Sequence, residues 1–351
     1  MDRGHLAGFV VVAVVVVALV AGCVDEFPIP SSTPSTTPTA TPASTSTPSP
    51  TPLSPSPTPS AAPSSLSPSP SPSSIPSSSP SPSSGGDHGE EKVRIGAFNI
   101  QTFGPTKSSK PEVMDVLARI VRTYDIVAIQ ELRDKSQTTL PALIDLVNAD
   151  GSRYDYVVSE RLGRTEHYRE QYAYLYNTQT IQLVGTPQTY PEPGGTDPFH
   201  REPYIASFKA AGGNFDATLM VIHTDPDEAT EEINALDAVV SYARSACPGE
   251  QDFIVLGDLN ADCSYFDEDS ASTLSGSEYY WCIDNNVDTT TKTTDCTYDR
   301  IIITNAAVSD YTGDAGVYRF DQKYGLTVDE TTVVSDHYPV YAEFWCVGDE
   351  D

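Results

Sequence analysis

From residue 93 onward, apolar runs of strand length alternate with segments of helical spacing. VRIGAFNI (93–100) and DIVAIQEL (125–132) are almost continuously apolar, the pattern of strands covered on both faces. PEVMDVLARIVRTY (111–124) spaces its apolar residues three and four apart behind a Pro, which predicts a helix. LPALIDLVNA (140–149) predicts a second helix, and PDEATEEINALDAVVSYARSA (226–246) a long third one with Pro226 at its start. YDYVVSE (154–160) and EQYAYLYN (170–177) alternate as strands, and TIQLVG (180–185) follows. FDATLMVIHT (215–224), DFIVLGDLN (252–260), YDRIIIT (298–304) and HYPVYAEFWCV (337–347) complete the set of strands. Many strands with a few interleaved helices predict an α+β fold, a sandwich of two sheets with helices outside.

Ahead of this domain the composition changes. Residues 6–24 (LAGFVVVAVVVVALVAGCV) are 19 uncharged residues following Arg3. They read as a lipoprotein-type signal, with small residues before a lipidated Cys23, or as an uncleaved anchor just long enough to span a bilayer. A plain secretory signal is the third reading. From Ser31 to Gly86 every residue is Ser, Pro, Thr or Ala except Leu53, Leu66, Ile75, Gly85 and Gly86. Such a stretch has almost nothing to bury and cannot offset the entropy of ordering. Extended at about 3.1 Å per residue, it would hold a domain up to ~170 Å from a membrane. The expected organisation is a leader or anchor over 1–22, a disordered linker over 23–89 and one globular domain over 90–348, tethered at the extracellular face of the cell membrane.

The formal net charge is −29, from 20 Lys and Arg against 49 Asp and Glu. Residues 1–89 contribute −3, which leaves about −26 on the globular part. A surface this acidic is a poor general trap for nucleic acid, because phosphate binding normally uses Lys and Arg. Solubility at high ionic strength is one physical reason for such a surface, since salt screens its self-repulsion.

Five polar clusters fall at the ends of the apolar runs: Asn99, Glu131 after Gln130, His223, Asp258 with Asn260, and Asp336 with His337. Strand ends converge at one edge of a sandwich, where a site can form. Glu131, Asp258, Asp336 and Asn99 make an oxygen-rich set suited to Mg²⁺, Mn²⁺ or Ca²⁺ rather than to zinc. A single acid at a strand end is usually a turn residue; a whole set placed alike is not. The domain holds four His, at 167, 200, 223 and 337, and two of them stand at strand ends beside acids. Imidazoles suit proton transfer at both ends of a displacement. Phosphodiester hydrolysis needs a base for water, an acid for the leaving oxygen and positive charge on the phosphoryl oxygens.

The motifs IGAFNIQTFG, YDIVAIQELRD, YVVSERLGR, HREPY, VIHTDPDEATEEINAL, GDLNADCSY, CTYDRI and SDHYPV run in order over about 93–345. Together they resemble the deoxyribonuclease I family of the endonuclease–exonuclease–phosphatase superfamily. GDxN and SDH mark the superfamily; REP, NADCSY and YDRI point to the family itself. The resemblance implies a four-layer α/β/β/α sandwich of two mixed sheets. It implies that Glu131 and Asn99 hold a catalytic Mg²⁺ or Mn²⁺, that Asp258 and Asn260 bind metal and scissile phosphate, and that Asp336 lies near the metal. It pairs His223 with Glu170 and His337 with Asp299 as the acid–base set, without deciding which ring is acid and which is base. Arg133 and Tyr168 match the pair that enters the DNA minor groove, and Arg164 and Arg201 match phosphate contacts. Asp197, Phe199 (through its carbonyl) and Glu202 resemble one structural Ca²⁺ loop; Asp288, Thr290 and Thr294 resemble a second. Cys263 and Cys296 match the family's disulfide.

The chain also departs from that pattern. Gln101 stands where the family usually carries Arg. One residue is inserted between Arg164 and Tyr168. PEPGGTDPF (191–199) replaces a small disulfide loop, and Lys292 interrupts the threonine pattern of the second loop. Among the other cysteines, Cys247 and Cys346 follow core elements and are candidates for a second bridge, which leaves Cys282 free.

The reading is thus a monomeric, membrane-tethered, extracellular, divalent-metal-dependent endonuclease. It is expected to cut double-stranded DNA with little sequence preference, and the resemblance implies 5′-phosphate products. Two alternatives stand beside it. One is a phosphodiesterase of the same superfamily acting on phospholipid or another non-DNA ester, which Gln101 and the acidity favour. The other is a non-catalytic surface binding module.

Overall fold

The computed structural model describes residues 91–349. Cys23, the leader and the Ser/Thr/Pro linker lie outside the described residues. Twelve strands and six helices are found among the described residues. β1 (Lys92–Phe103), β2 (Ile126–Leu132), β3 (Tyr154–Val158), β4 (Gln171–Asn177), β11 (Tyr311–Val317) and β12 (Val340–Trp345) form one sheet, in the order β11-β12-β1-β2-β4-β3. β5 (Ile181–Thr189), β6 (Tyr204–Ala210), β7 (Asp216–His223), β8 (Phe253–Asp258), β9 (Tyr279–Trp281) and β10 (Asp299–Thr304) form the other, in the order β5-β6-β7-β8-β10-β9. Each sheet is antiparallel except for one central parallel pair, β1 with β2 and β7 with β8.

Three apolar layers hold this together. Between the sheets lie Ile95, Ala97, Tyr174, Leu219, Val221, Leu256, Ile301 and Phe344. The outer face of the first sheet packs on α2 (Pro111–Val121) and α3 (Thr139–Asn148), with Phe320 of α5 (Phe320–Tyr324) and Val334 of α6 (Val328–Val334) completing the layer. The outer face of the second sheet packs on α4 (Ala229–Ala246) through Ile233, Leu236, Val239 and Val240. The short α1 (Pro105–Ser108) follows β1. The order of layers is α/β/β/α, as the sequence pattern and the resemblance predict.

Several boundaries differ from the expected ones for local reasons. α4 starts at Ala229 rather than Pro226, because the Asp225 carboxylate accepts from the Asp227 N–H and the Asp225 carbonyl from the Glu228 N–H. That turn consumes the donors a helix start would use. Asn99 does not end β1; the strand runs on to Phe103 through a register shift against β2. β6, β9 and β11 are strands that the periodicity did not announce. Among the described residues Cys247, Cys282 and Cys346 are free thiols, so the candidate Cys247–Cys346 bridge is not formed. Cys247 caps α4 outside the second sheet beside Ser207, whereas Cys346 ends β12 in the first. The Cys263–Cys296 disulfide is present, with Cα atoms 5.9 Å apart.

Candidate active site

The parallel pairs bring four strand ends to one edge of the sandwich. β7 delivers His223 next to Asp258 of β8, in register. The glycine of the GDLN motif is required there: a Cβ on Gly257 would stand 2.0 Å from the Ile222 carbonyl oxygen. In the other sheet, β1 and β2 both shift register beside Asn99 and Glu131. Thr102, Glu131 and Asn260 all adopt the left-handed backbone region, at φ of 51°, 59° and 47°. Residues held this way cost on the order of 1 kcal/mol or more each and gather where a backbone must aim a side chain. The turn at Glu131 points its carboxylate at the Thr102 N–H, 2.7 Å away.

Two histidine–carboxylate pairs face each other across the site. His223 Nδ1 is 2.9 Å from Glu170 Oε2, and His337 Nδ1 is 2.7 Å from Asp299 Oδ2. Both Nε2 atoms point at Asp258 Oδ2, each at 3.6 Å. That oxygen also accepts from Asn99 Nδ2 at 2.8 Å. All of these contacts join the two sheets except His223–Asp258, which lies within the second. His223, Asp258 and Asp299 belong to the second sheet; Asn99 belongs to the first, and Glu170 and His337 sit on segments that enter its strands β4 and β12. Asn260 turns back, donating through Nδ2 to the Thr224 carbonyl at 3.1 Å while its N–H caps Asp258 Oδ1.

Burial opposes charge throughout this cluster, and the pairs overcome it. Burial raises Glu170, but His223, Arg201 and Arg133 outweigh it and hold the carboxyl well below the usual range. Asp258 is lowered too: burial is outweighed by His337, His223 and the Asn99 bond. Burial and Arg201 lower His223, yet Glu170 and Asp258 leave it raised. Burial would also lower His337, but Asp299, Asp258 and Asp336 carry it up to about 10. With Nδ1–H fixed on a carboxylate, each ring has one nitrogen left for proton transfer, and it faces the same point.

The donor set fits a hard divalent ion. Glu131, Asp258, Asp336 and Asn99 supply only oxygen, and two of those oxygens, Asn99 Oδ1 and Asp336 Oδ1, are buried without a hydrogen-bond partner. Buried acceptors left bare are costly, and a cation is what satisfies them. The sequence reading missed what supports this set. Ser335 Oγ donates to the Asn99 carbonyl and accepts from the Gln101 and His337 N–H groups. Tyr172 OH accepts from the His223 N–H. Gln101 Nε2 and Lys292 Nζ both reach Asp336 Oδ2, at 2.6 and 2.9 Å. Only Gln101 and Lys292 carried a signal, as departures from the family pattern.

Around the mouth, the expected DNA residues separate. Arg133 and Tyr168 line one cavity of about 540 Å³ with His200, Arg201 and His223. Tyr168 is 62% exposed. Arg133 is half-buried, its guanidinium 2.6 Å from Glu170 and 3.3 Å from Glu131. Arg201 lines the cavity from a buried position. It is only 5% exposed, and its Nε and Nη2 donate to the His223 and Thr224 carbonyls at 2.8–3.0 Å. Its guanidinium props the end of β7 and leaves one edge on the cavity. Arg164 is held by Glu228 at 2.7 Å and Asp197 at 3.2 Å.

Neither candidate calcium loop is a simple turn. Asp197 shares its loop with Glu202 and with Glu192, which accepts from the Phe199 N–H and is raised by burial and then by Glu202 and Asp197. In the second loop, Asp288 accepts from the Thr290 N–H, and the one proton of the Thr290 hydroxyl has the Asp288 carboxylate at 2.8 Å and the Thr294 carbonyl at 2.6 Å as acceptors, so the loop closes on itself.

The sequence of the endonuclease/exonuclease/phosphatase family matches residues 96–337. The chain belongs to that family. It is 37% identical to deoxyribonuclease-1 of Bos taurus over 257 residues, which cover 71% of this chain and 90% of that protein. It is 33% identical to deoxyribonuclease gamma of Rattus norvegicus over 264 residues, 72% of this chain and 84% of that protein. Within the family it therefore stands with the deoxyribonuclease I relatives. Among solved structures, an endonuclease/exonuclease/phosphatase family protein from Bacteroides thetaiotaomicron superposes with a TM-score of 0.52 at 17% identity, covering 72% of this chain and 95% of that one. That likeness bears on the fold, which is the same two-sheet sandwich. Family members of this branch are divalent-metal-dependent phosphodiesterases, and the chain is an enzyme of that kind.

Proposed function

We propose that this chain is a divalent-metal-dependent endonuclease that hydrolyses DNA with little sequence preference and leaves 5′-phosphate ends. The observation that carries it is the pair of buried histidine–carboxylate couples aimed at Asp258, with Arg133 and Tyr168 standing at the mouth. The similarity to proteins named deoxyribonucleases supports the choice of substrate.

Each residue has a part in the displacement. Glu131, Asn99, Asp258 and Asp336 would hold Mg²⁺ or Mn²⁺, which when bound neutralises carboxylate charge and polarises the phosphoryl oxygen. One imidazole, neutral, takes a proton from the attacking water; the other, as imidazolium, gives a proton to the leaving 3′ oxygen as the P–O bond breaks. Glu170 and Asp299 fix the two rings and stabilise whichever is charged. Asn260 orients the phosphate. Arg133 and Tyr168 enter the minor groove, the arginine reading its width and the ring packing on sugar. Arg164, released from Glu228, contacts a flanking phosphate. Ca²⁺ would be structural, held at Asp197, Phe199 and Glu202 and at Asp288 and Thr290. The enzyme works as a monomer outside the cell, tethered through a lipidated Cys23 or an N-terminal anchor.

The test is nicking of supercoiled plasmid by the full chain with Mg²⁺ and Ca²⁺, against EDTA and a His223→Ala control. Metal-dependent nicking that disappears in the variant supports the reading. A folded chain that leaves plasmid intact at every salt but hydrolyses sphingomyelin overturns it in favour of a phospholipid substrate.

A further inference from the structure

Among the described lysines and arginines three are buried: Lys107, Arg201 and Arg300. Lys107 is the lysine of the three, and it belongs to α1, a single turn set in place by the end of β1. Gly104 caps that turn, and a Cβ there would stand 2.7 Å from the Arg133 carbonyl oxygen. Pro105 opens it, with a fixed φ suited to the first helical position. The Phe103 carbonyl accepts from the Arg133 N–H at 2.7 Å, and Ser108 Oγ lies 3.4 Å from Thr139 Oγ1 of α3. α1 is therefore fastened to the segment that follows Glu131.

The Lys107 ammonium donates to the Val334 carbonyl at 2.7 Å. Val334 is the last residue of α6, where helix carbonyls run out of intrahelical partners and a cation is favoured. The backbone then extends through Ser335, at φ −161° and ψ 159°, directly into Asp336 and His337. Burial lowers Lys107 to about 8, while Asp336 and Glu131 pull it up. Burying an ammonium against a carbonyl carries a desolvation cost, so the position asks for a reason beyond stability.

That reason lies in how the Asp336–His337 segment is held. Thr291 donates its N–H to the Asp336 carbonyl at 2.8 Å and its hydroxyl to the Ser335 carbonyl at 2.9 Å. Ser335 Oγ donates to the Asn99 carbonyl at 2.7 Å. Lys107 adds a hold at the helical end, from the element that directly follows the strand of Asn99. We propose that Lys107 is a positioning residue: its ammonium clamps the end of α6 and so keeps Asp336 and His337 in place against Asn99 and Glu131. The bare oxygens of Asn99 and Asp336 are thereby presented to one ion. This rests on the metal-dependent phosphodiester chemistry above and not on DNA as the substrate.

The test compares the full chain with Lys107→Met, which keeps the length and removes the charge and the donor, and with Lys107→Arg, which keeps both. Three quantities are read: Mn²⁺ affinity by calorimetry, turnover of bis(4-nitrophenyl) phosphate, and the side-chain NMR resonances of His223 and His337 in the metal-free protein. Lys107→Met is expected to weaken Mn²⁺ about tenfold and to lower kcat for the diester by at least about tenfold, with KM within about twofold. The His337 resonances should move and those of His223 should not. Lys107→Arg should return affinity and kcat to within about threefold of the parent. Unchanged Mn²⁺ affinity in Lys107→Met, equal displacement of both histidines, or a Lys107→Arg chain no better than Lys107→Met overturns the proposal. If Lys107→Met does not fold, Lys107→Arg decides alone: displacement confined to His337 supports the clamp, and two unmoved histidines overturn it. A parent that hydrolyses the small diester but no DNA defeats the DNA reading and leaves the clamp tested. A parent that hydrolyses neither defeats the phosphodiesterase reading, while the Mn²⁺ isotherm and the two histidines still decide the clamp.

Discussion

Asp258 Oδ2 lies 3.6 Å from Nε2 of both His223 and His337, so one carboxylate oxygen is shared by two imidazoles. Its charge helps raise both rings. Asp258→Ala should therefore lower both imidazole pKa values, seen by NMR titration of the metal-free protein. It should also reduce kcat about 10³-fold. Unchanged histidine titrations would show that Asp258 does not govern them.

Glu170 joins His223, Arg133 and Arg201 in one buried charge cluster. Glu170→Gln keeps the shape and removes the charge, leaving the buried Arg201 uncompensated. The expected cost is about 3 kcal/mol in denaturant unfolding and about 10²-fold in kcat. A variant with full stability would mean that the carbonyls of His223 and Thr224 suffice for Arg201.

The bare oxygens of Asn99 and Asp336 predict that ion binding can be measured without turnover. Calorimetric titration with Mg²⁺ or Mn²⁺ should give a site that Glu131→Gln weakens at least about tenfold. The same variant should need correspondingly more ion for half-maximal activity. An unchanged isotherm would move the site away from Glu131.

Glu232 of α4 supplies a pH prediction away from the chemistry. It is fully buried; one oxygen accepts from the N–H groups of His200 and Asp225, and the other has no partner. Burial pushes its carboxyl up to about 7. A raised carboxyl binds its proton more tightly in the folded state, so it has no effect below pH 4.5, where both states are protonated. The folded state loses ground as pH rises to 7, by roughly 3 kcal/mol at most. Glu232→Gln should match the parent near pH 4 and exceed it in Tm above pH 7. A constant difference across pH would exclude the carboxyl as the cause.

The cross-link between Cys263 and Cys296 closes a 33-residue separation beside Asn260. Replacing both cysteines by Ser should destabilise the domain by roughly 3–4 kcal/mol, measured by denaturant unfolding. Equal midpoints would mean that the loop is ordered without it.

The buried strands were legible because their sequences carry one unambiguous message. VRIGAFNI and DFIVLGDLN are apolar on both faces, and both became central strands. YIASFKA of β6 and YTGDAGV of β11 mix small, polar and apolar residues; they are strands because neighbours pair with them. The polar residues that the structure gathers at the site were legible because they stand where apolar runs end. Their supports were not: Ser335 and Tyr172 act through backbone groups far away in sequence, which no spacing encodes. The carbonyl bonds of Arg201 were not legible, because a cation looks the same in sequence whether or not it also holds a pair of carbonyls.

Both histidine–carboxylate pairs bridge the two sheets, and this changes what activity reports. Neither half of the sandwich holds a complete couple, so the centre exists only while the halves are docked. An ion held by Glu131 on one side and Asp258 on the other would act as a rivet through both plates. Its binding energy is then also cohesion energy, and stripping it should loosen the joint before either plate melts.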